Sequence, residues 1–102
     1  MKTFAENLAA LPEAQGARLR LFDEDGREVA VIENAPGTAG SFRVYAYLAA
    51  RHGAIDATAA EEGLALYAEH TGDARRHPGR HPNIDRLFEC VDSGARFVVR
   101  VE

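Results

Sequence analysis

Two short alternating segments, residues 17–22 and 28–33, flank Glu24-Asp25-Gly26, and this arrangement commits the chain to a β-hairpin. Gly26 suits the left-handed position of a three-residue hairpin loop. That loop predicts a register in which Leu21 faces Val29 and Leu19 faces Val31. The four aliphatic side chains then share one sheet face, and Arg18, Arg20, Phe22, Glu28 and Ile32 share the other. A slip of one residue would mix the two sets. A lone hairpin is marginal in water, so the rest of the chain has to cover its apolar face.

The covering elements read as helices. Thr3-x-x-Glu6 is a capping-box pattern, with Phe4, Leu8 and Leu11 at helical spacing and Pro12 as the stop. Ser41 is placed to cap a helix running to His52, with Gly53 just past its end and Phe42, Tyr45, Leu48 and Ala49 inward. Thr58-x-x-Glu61 opens a further helix to about residue 70, with Ala60, Leu64 and Tyr67 inward, and Gly63 lets a neighbouring helix approach closely. Asn83 caps a last helix, with Ile84, Leu87, Phe88 and Val91 inward, ending at Gly94. Phe97, Val99 and Val101 alternate in a closing strand. The expected fold is α+β: a small, mostly antiparallel three-stranded sheet, made of the hairpin and the C-terminal strand, with about four helices packed on it.

Length and composition bound the function classes. The 102 residues suffice for one core, so one α+β domain is expected over residues 1–102. The chain is 46% hydrophobic, which argues against disorder. Twelve Lys and Arg against 16 Asp and Glu leave a net charge of −4, which argues against a general nucleic-acid binder. No apolar run is long enough to span a membrane, and the N-terminus lacks the apolar centre of a signal peptide. With Cys90 the single cysteine, no internal disulfide forms and a cytoplasmic setting is expected.

Two segments carry the candidate chemistry. Residues 69–85 hold His70, His77 and His81 together with Asp73, Arg80, Asn83 and Asp85, and two His-Pro pairs keep the second half from being helical. Titratable groups on an irregular loop are where a small domain carries function. The histidines lack a metal-binding spacing, and neither His-Glu-x-x-His nor Cys-x-x-Cys occurs, so no metal is assigned. A local web of Arg80, Asp73, Asp85 and Arg86 is the structural alternative.

The second segment is the Pro-Gly loop 34–41, with Asn34, Gly37, Gly40 and Ser41, followed by Arg43. A turn leaving a strand and entering a helix exposes backbone N–H groups to an anion. It is neither a P-loop nor a dinucleotide fingerprint, and no cofactor is expected. Ser41 lacks a nucleophile-elbow context. Cys90 lies on the flank of the last helix and reads as a half-buried small hydrophobe. Glu61, Glu62 and Glu69 read as a solvated helix face.

Three sets of residues together resemble one small bacterial family: Glu33-Asn34-x-Pro36-Gly37-x-x-Gly40-Ser41, then Gly63-Leu-Ala-Leu-x-Ala-Glu-His70-Thr-x-Asp73-Ala74, then Pro78-Gly-x-His81-Pro-Asn-Ile-Asp-Arg-Leu87. The chain resembles the uncharacterised bacterial domain-of-unknown-function family 2322 over nearly its whole length. The resemblance implies a stand-alone bacterial protein of about this size, and it brings no activity and no functional residue with it.

The reading that follows is a non-catalytic binding or interaction module using loop 69–85 and the Pro-Gly loop 34–41. Its partner would be a protein or a small anionic ligand, with neither nucleic acid nor membrane involved. One alternative is a small metal-dependent or acid/base enzyme centred on His70, His77 and His81. The other is the subunit of a homodimer joined through Phe22, Ile32, Val44 and Tyr47.

Overall fold

The computed structural model describes residues 2–102. Its elements in chain order are α1 (Phe4–Ala10), β1 (Arg18–Phe22), β2 (Glu28–Glu33), α2 (Ala39–His52), α3 (Ala57–Tyr67), α4 (Glu69–Arg76), α5 (Pro82–Ser93) and β3 (Val98–Val101). The three strands form an antiparallel sheet in the order β2-β1-β3. Among the described residues there are thus five helices, where about four were expected. The extra one is α4, inside a segment expected to be irregular. Among the described residues no helix is long and apolar enough to cross a membrane.

The hairpin loop forms as expected but the register beyond it does not. Asp23 N–H donates to the Arg27 carbonyl, Gly26 sits at φ 82, and the Asp23 side chain accepts from the N–H groups of Asp25 and Arg27. Phe22 then faces Glu28, but Leu21 faces Ala30 and Leu19 faces Ile32. Val29 is the extra residue of a β-bulge, and it turns the rest of β2 over. Ile32 becomes 2% exposed, while Val29 and Val31 are 45% and 40% exposed. The shift seats the larger Ile32 beside Leu19 and Leu21 and leaves the two smaller valines outside. An edge strand can take such a bulge, since only one neighbour has to adjust.

The outer sheet face carries cross-strand ion pairs. Arg18 meets Glu33 at 3.1 Å, and Arg20 meets Glu28 at 2.9 Å and Glu102 at 2.7 Å. Arg100 lies over the Phe22 ring. The expected dimer patch is not assembled, because Ile32 and Val44 are both core residues.

On the inner face α2 packs against all three strands, α3 packs on α2, and α5 packs on α3. Gly63 is where these helices close up: a Cβ there would lie 2.8 Å from Leu87 Cδ1 and 2.9 Å from Leu48 Cδ1. The core stripe of α2 is Phe42, Val44, Tyr45 and Leu48. That of α5 is Ile84, Leu87 and Cys90, whereas Val91, expected inward, is 37% exposed. Cys90 is fully buried rather than half-buried.

Three helix starts differ from the sequence reading. The α1 capping box of Thr3 and Glu6 is present. However, α2 begins after Thr38, so Ser41 lies inside its first turn, and the Thr38 hydroxyl donates to the Glu33 carbonyl. Asp56, not Thr58, caps α3 by accepting from Ala59 N–H. His81, not Asn83, is the N-cap residue of α5, and Pro82 opens the helix, where its missing N–H costs nothing.

Candidate functional site

The chain turns sharply at Ala68, which has φ 51 and ψ −114, so α3 ends at Tyr67 and α4 sets off in a new direction. Thr71 secures the corner by donating its hydroxyl to the Leu64 carbonyl at 2.6 Å. Helix α1 is fastened across the same corner. Phe4 N–H donates to Glu69 Oε1 at 2.8 Å, and the Asn7 side-chain amide donates to the Leu66 carbonyl at 2.9 Å. Residues 77–81 then lead back to the start of α5, beside the start of α2. The Pro-Gly loop and the histidine segment, far apart in sequence, meet at one cleft of about 380 Å³.

The polar groups of the cleft come from both segments: Gly37 and Ser41 from the first, and His70, Arg80, His81 and Asn83 from the second. Its apolar wall is Phe4, Tyr67, Pro82 and Ile84, and Thr38 completes the rim. Among the described residues that line it there is no carboxylate. The wall is an aromatic run. Phe4 stacks on Tyr67 with centroids 5.1 Å apart, meets the His70 ring edge-on at 5.1 Å, and His70 lies 5.9 Å from His81.

The electrostatics decide which atoms remain available to a ligand. Asp73 stands behind His81, with Oδ2 2.6 Å from Nε2. The His81 hydrogen bond holds the Asp73 carboxyl below its ordinary value, with help from the charges of Arg80 and His77. An ionised carboxylate only accepts, so His81 Nε2 carries the hydrogen and Nδ1 is the nitrogen left over. Arg80 reaches Asp73 only at 3.5 Å and is 58% exposed, so its donors are largely uncommitted. Burial pushes the Tyr67 phenol up to about 12, so it stays neutral and donates to Ser41 Oγ at 2.7 Å. Having accepted that bond, Ser41 still has its own hydrogen to give.

Several expected site residues lie outside this cleft and make contacts that hold the fold, and Asn34, Gly40 and Arg43 line a separate cleft of about 350 Å³. Arg43 points away, donating to the carbonyls of Leu11 at 2.7 Å and Pro12 at 3.0 Å, which fixes the end of α1. Asn34 donates to the Gly16 carbonyl at 2.8 Å. Gly40 lies under α1, where a Cβ would be 3.3 Å from both Leu8 and Phe4. Asp85 accepts from Gly79 N–H at 2.9 Å and holds residues 77–81 in place from the other side. The expected ion-pair web forms only around Asp73. Arg86 instead donates to Tyr45 Oη and to Asn83 Oδ1. Among the described residues no three His, Cys, Asp or Glu side chains are grouped to hold a metal ion. Phe4, Thr38, Tyr67, Pro82 and Ile84 line the cleft without having been expected there, because in sequence they read as helix-start, loop or core positions.

Two wider depressions flank α5. The one of about 590 Å³ runs between the hairpin tip and α5, and the one of about 720 Å³ lies along Phe88 and Asp92. Both carry acidic side chains among their walls and neither collects the histidines. No curated protein and no solved structure matches this chain. A family model described as an uncharacterized protein conserved in bacteria matches residues 4–101, and on that match the chain belongs to the DUF2322 family.

Proposed function

We propose that this protein is a non-catalytic binding module that takes a small anionic ligand in the cleft between the Pro-Gly loop and the α4–α5 segment. The observation that carries the reading is the sign of the lining. In a chain of net charge −4, this cleft has Arg80, two imidazoles and the Ser41 hydroxyl on its walls, and the Asp73 carboxylate stands behind His81 and Arg80 instead of among the described lining residues. Such a lining favours an anion over a cation or a neutral apolar guest. Its volume lies at the low end for small-molecule sites, which favours a compact ligand. A lone cysteine kept as a buried thiol is in keeping with a cytoplasmic setting.

A titration followed by amide NMR tests the proposal. Inorganic phosphate and acetate should move the resonances of Ser41, His70, Arg80, His81 and Asn83, with a dissociation constant on the order of 1 mM. Tetramethylammonium chloride should move none of them. Shifts scattered over the surface, or equal with the cation, would overturn the reading. The hydrogen bond between His81 and Asp73 favours a second reading, in which His81 transfers a proton on the bound ligand. Turnover that disappears in His81→Gln while binding persists would separate that reading from binding alone.

A further inference from the structure

The shape and wall chemistry of the cleft bear on what kind of anion it takes. Its polar groups approach from different elements: the Ser41 hydroxyl from the first turn of α2, the Arg80 guanidinium from residues 77–81, and His81 beside it, whose Nδ1 donates only in the imidazolium form. A carboxylate offers two oxygens in one plane, which a single fork of donors satisfies. A phosphoryl group offers three oxygens around a tetrahedron and suits donors that converge from several sides. Arg80 is permanently cationic, and the rings of His70 and His81 lie 5.9 Å apart on the same wall.

Size adds a second constraint. At roughly 30 Å³ per water, 380 Å³ is the space of about a dozen waters. A phosphoryl group alone fills well under half of it. The rest is walled by Phe4, Tyr67 and Ile84, which offer nothing to an inorganic ion but accept an organic substituent.

We infer that the ligand is a phosphate monoester of a small organic molecule, with its phosphoryl group between Ser41, Arg80 and His81 and its organic group against Phe4 and Tyr67. This inference rests on the reading of the cleft as an anion site.

Calorimetric titration of the whole protein with four probes tests it: phenyl phosphate, benzoate, inorganic phosphate, and phosphoserine blocked at both ends. Phenyl phosphate should bind at least tenfold more tightly than benzoate or inorganic phosphate. Its second ionisation, about 6 in water, should move to lower pH in the phosphorus NMR spectrum of the complex. Arg80→Gln removes an exposed side chain with little structural work and should weaken phenyl phosphate about tenfold, and benzoate by less. Ser41→Ala should weaken it as well. Benzoate binding as tightly as phenyl phosphate would leave the anion reading standing and overturn the monoester. Tighter binding of the blocked phosphoserine would assign the phosphate to a protein side chain and overturn the small-molecule form. If none of the four binds, the anion reading and the inference both fall.

Discussion

Tyr45→Phe tests how the core positions the cleft. Tyr45 is fully buried in α2, and its hydroxyl donates to the Asn83 carbonyl at 2.6 Å and accepts from Arg86 Nη1 at 3.1 Å. Burial raises the phenol pKa well above its ordinary value, so the hydroxyl is neutral and both bonds are made at every working pH. Phenylalanine keeps the ring and its packing and removes only the oxygen. Each lost bond is worth about 1 kcal/mol net. Two facts limit the loss. Arg86 keeps its bond to Asn83 Oδ1 at 2.9 Å, and the Asn83 carbonyl, in the first turn of α5, keeps its helical acceptor role. The expected cost is about 1–2 kcal/mol, or roughly 4–8 °C in Tm for each kcal/mol. Urea unfolding measures it, with an unchanged denaturant slope showing that the compactness of the end states is preserved. Since the bond secures the turn that carries Asn83 to the cleft, the amide shifts should centre on residues 81–86. A loss under about 0.5 kcal/mol would refute the account, because such a value fits a hydroxyl that is not bonded there.

Four further outcomes follow from particular contacts. Gly63→Ala should destabilise by on the order of 1 kcal/mol in urea unfolding, the crowding of Leu48 and Leu87 outweighing the helix propensity gained; a stabilised variant would contradict it. Burial pushes the Cys90 thiol up to about 11, leaving about one part in ten thousand as thiolate at pH 7, so a disulfide reagent should label it no faster than the protein unfolds; faster labelling would show the thiol to be accessible. Because the folded-state pKa of Asp73 is lowered, its contribution to stability is present above the unfolded value of about 3.9 and is lost as pH falls through the folded one. Asp73→Asn should therefore be less stable at neutral pH with a gap that closes in acid, and a Tm gap that persists at the acid end would refute this. Ala68→Gly should stabilise by about 1 kcal/mol, since relief at φ 51, ψ −114 exceeds the added entropy of the unfolded chain; a lower urea midpoint would refute it.

The hairpin shows how far local pattern carries. Its existence and its Gly26 loop follow from residues within a few positions of each other, and the structure has both. The bulge at Val29 depends on something local pattern lacks, namely which of three β-branched residues the distant helices need. Val29, Val31 and Ile32 are equally credible core residues by type, and α2 takes Ile32. Helix starts failed similarly. Thr38 and Ser41, like Asp56 and Thr58, are good starting residues a few positions apart, and the packing of the whole helix chooses between them. The break at Ala68 was hidden for a different reason. A positive φ normally announces itself by glycine or asparagine, and here an alanine holds it under the pull of Thr71 and the fastening of α1.

The site was legible as two places and not as one. Each segment stood out by composition, but nothing in either points to the other, and their meeting depends on the Ala68 corner and on α1 lying across it. Within each segment, residue type did not separate ligand-ready groups from structural ones. Arg43 and Arg80 look alike in sequence. In the fold, Arg43 donates to two backbone carbonyls at 2.7 and 3.0 Å, while Arg80 has one loose carboxylate contact at 3.5 Å and faces solvent. Backbone carbonyls left over at helix ends and turns compete with any ligand for the donors nearby, and they win wherever the reach is short. What marks a binding group is therefore its unmet hydrogen-bonding capacity, a property of the assembled neighbourhood. By that criterion Arg80, His81 Nδ1 and the Ser41 hydroxyl hydrogen are among the free groups of the cleft, while Asn34, Arg43 and Asp85 are committed to backbone partners elsewhere in the fold.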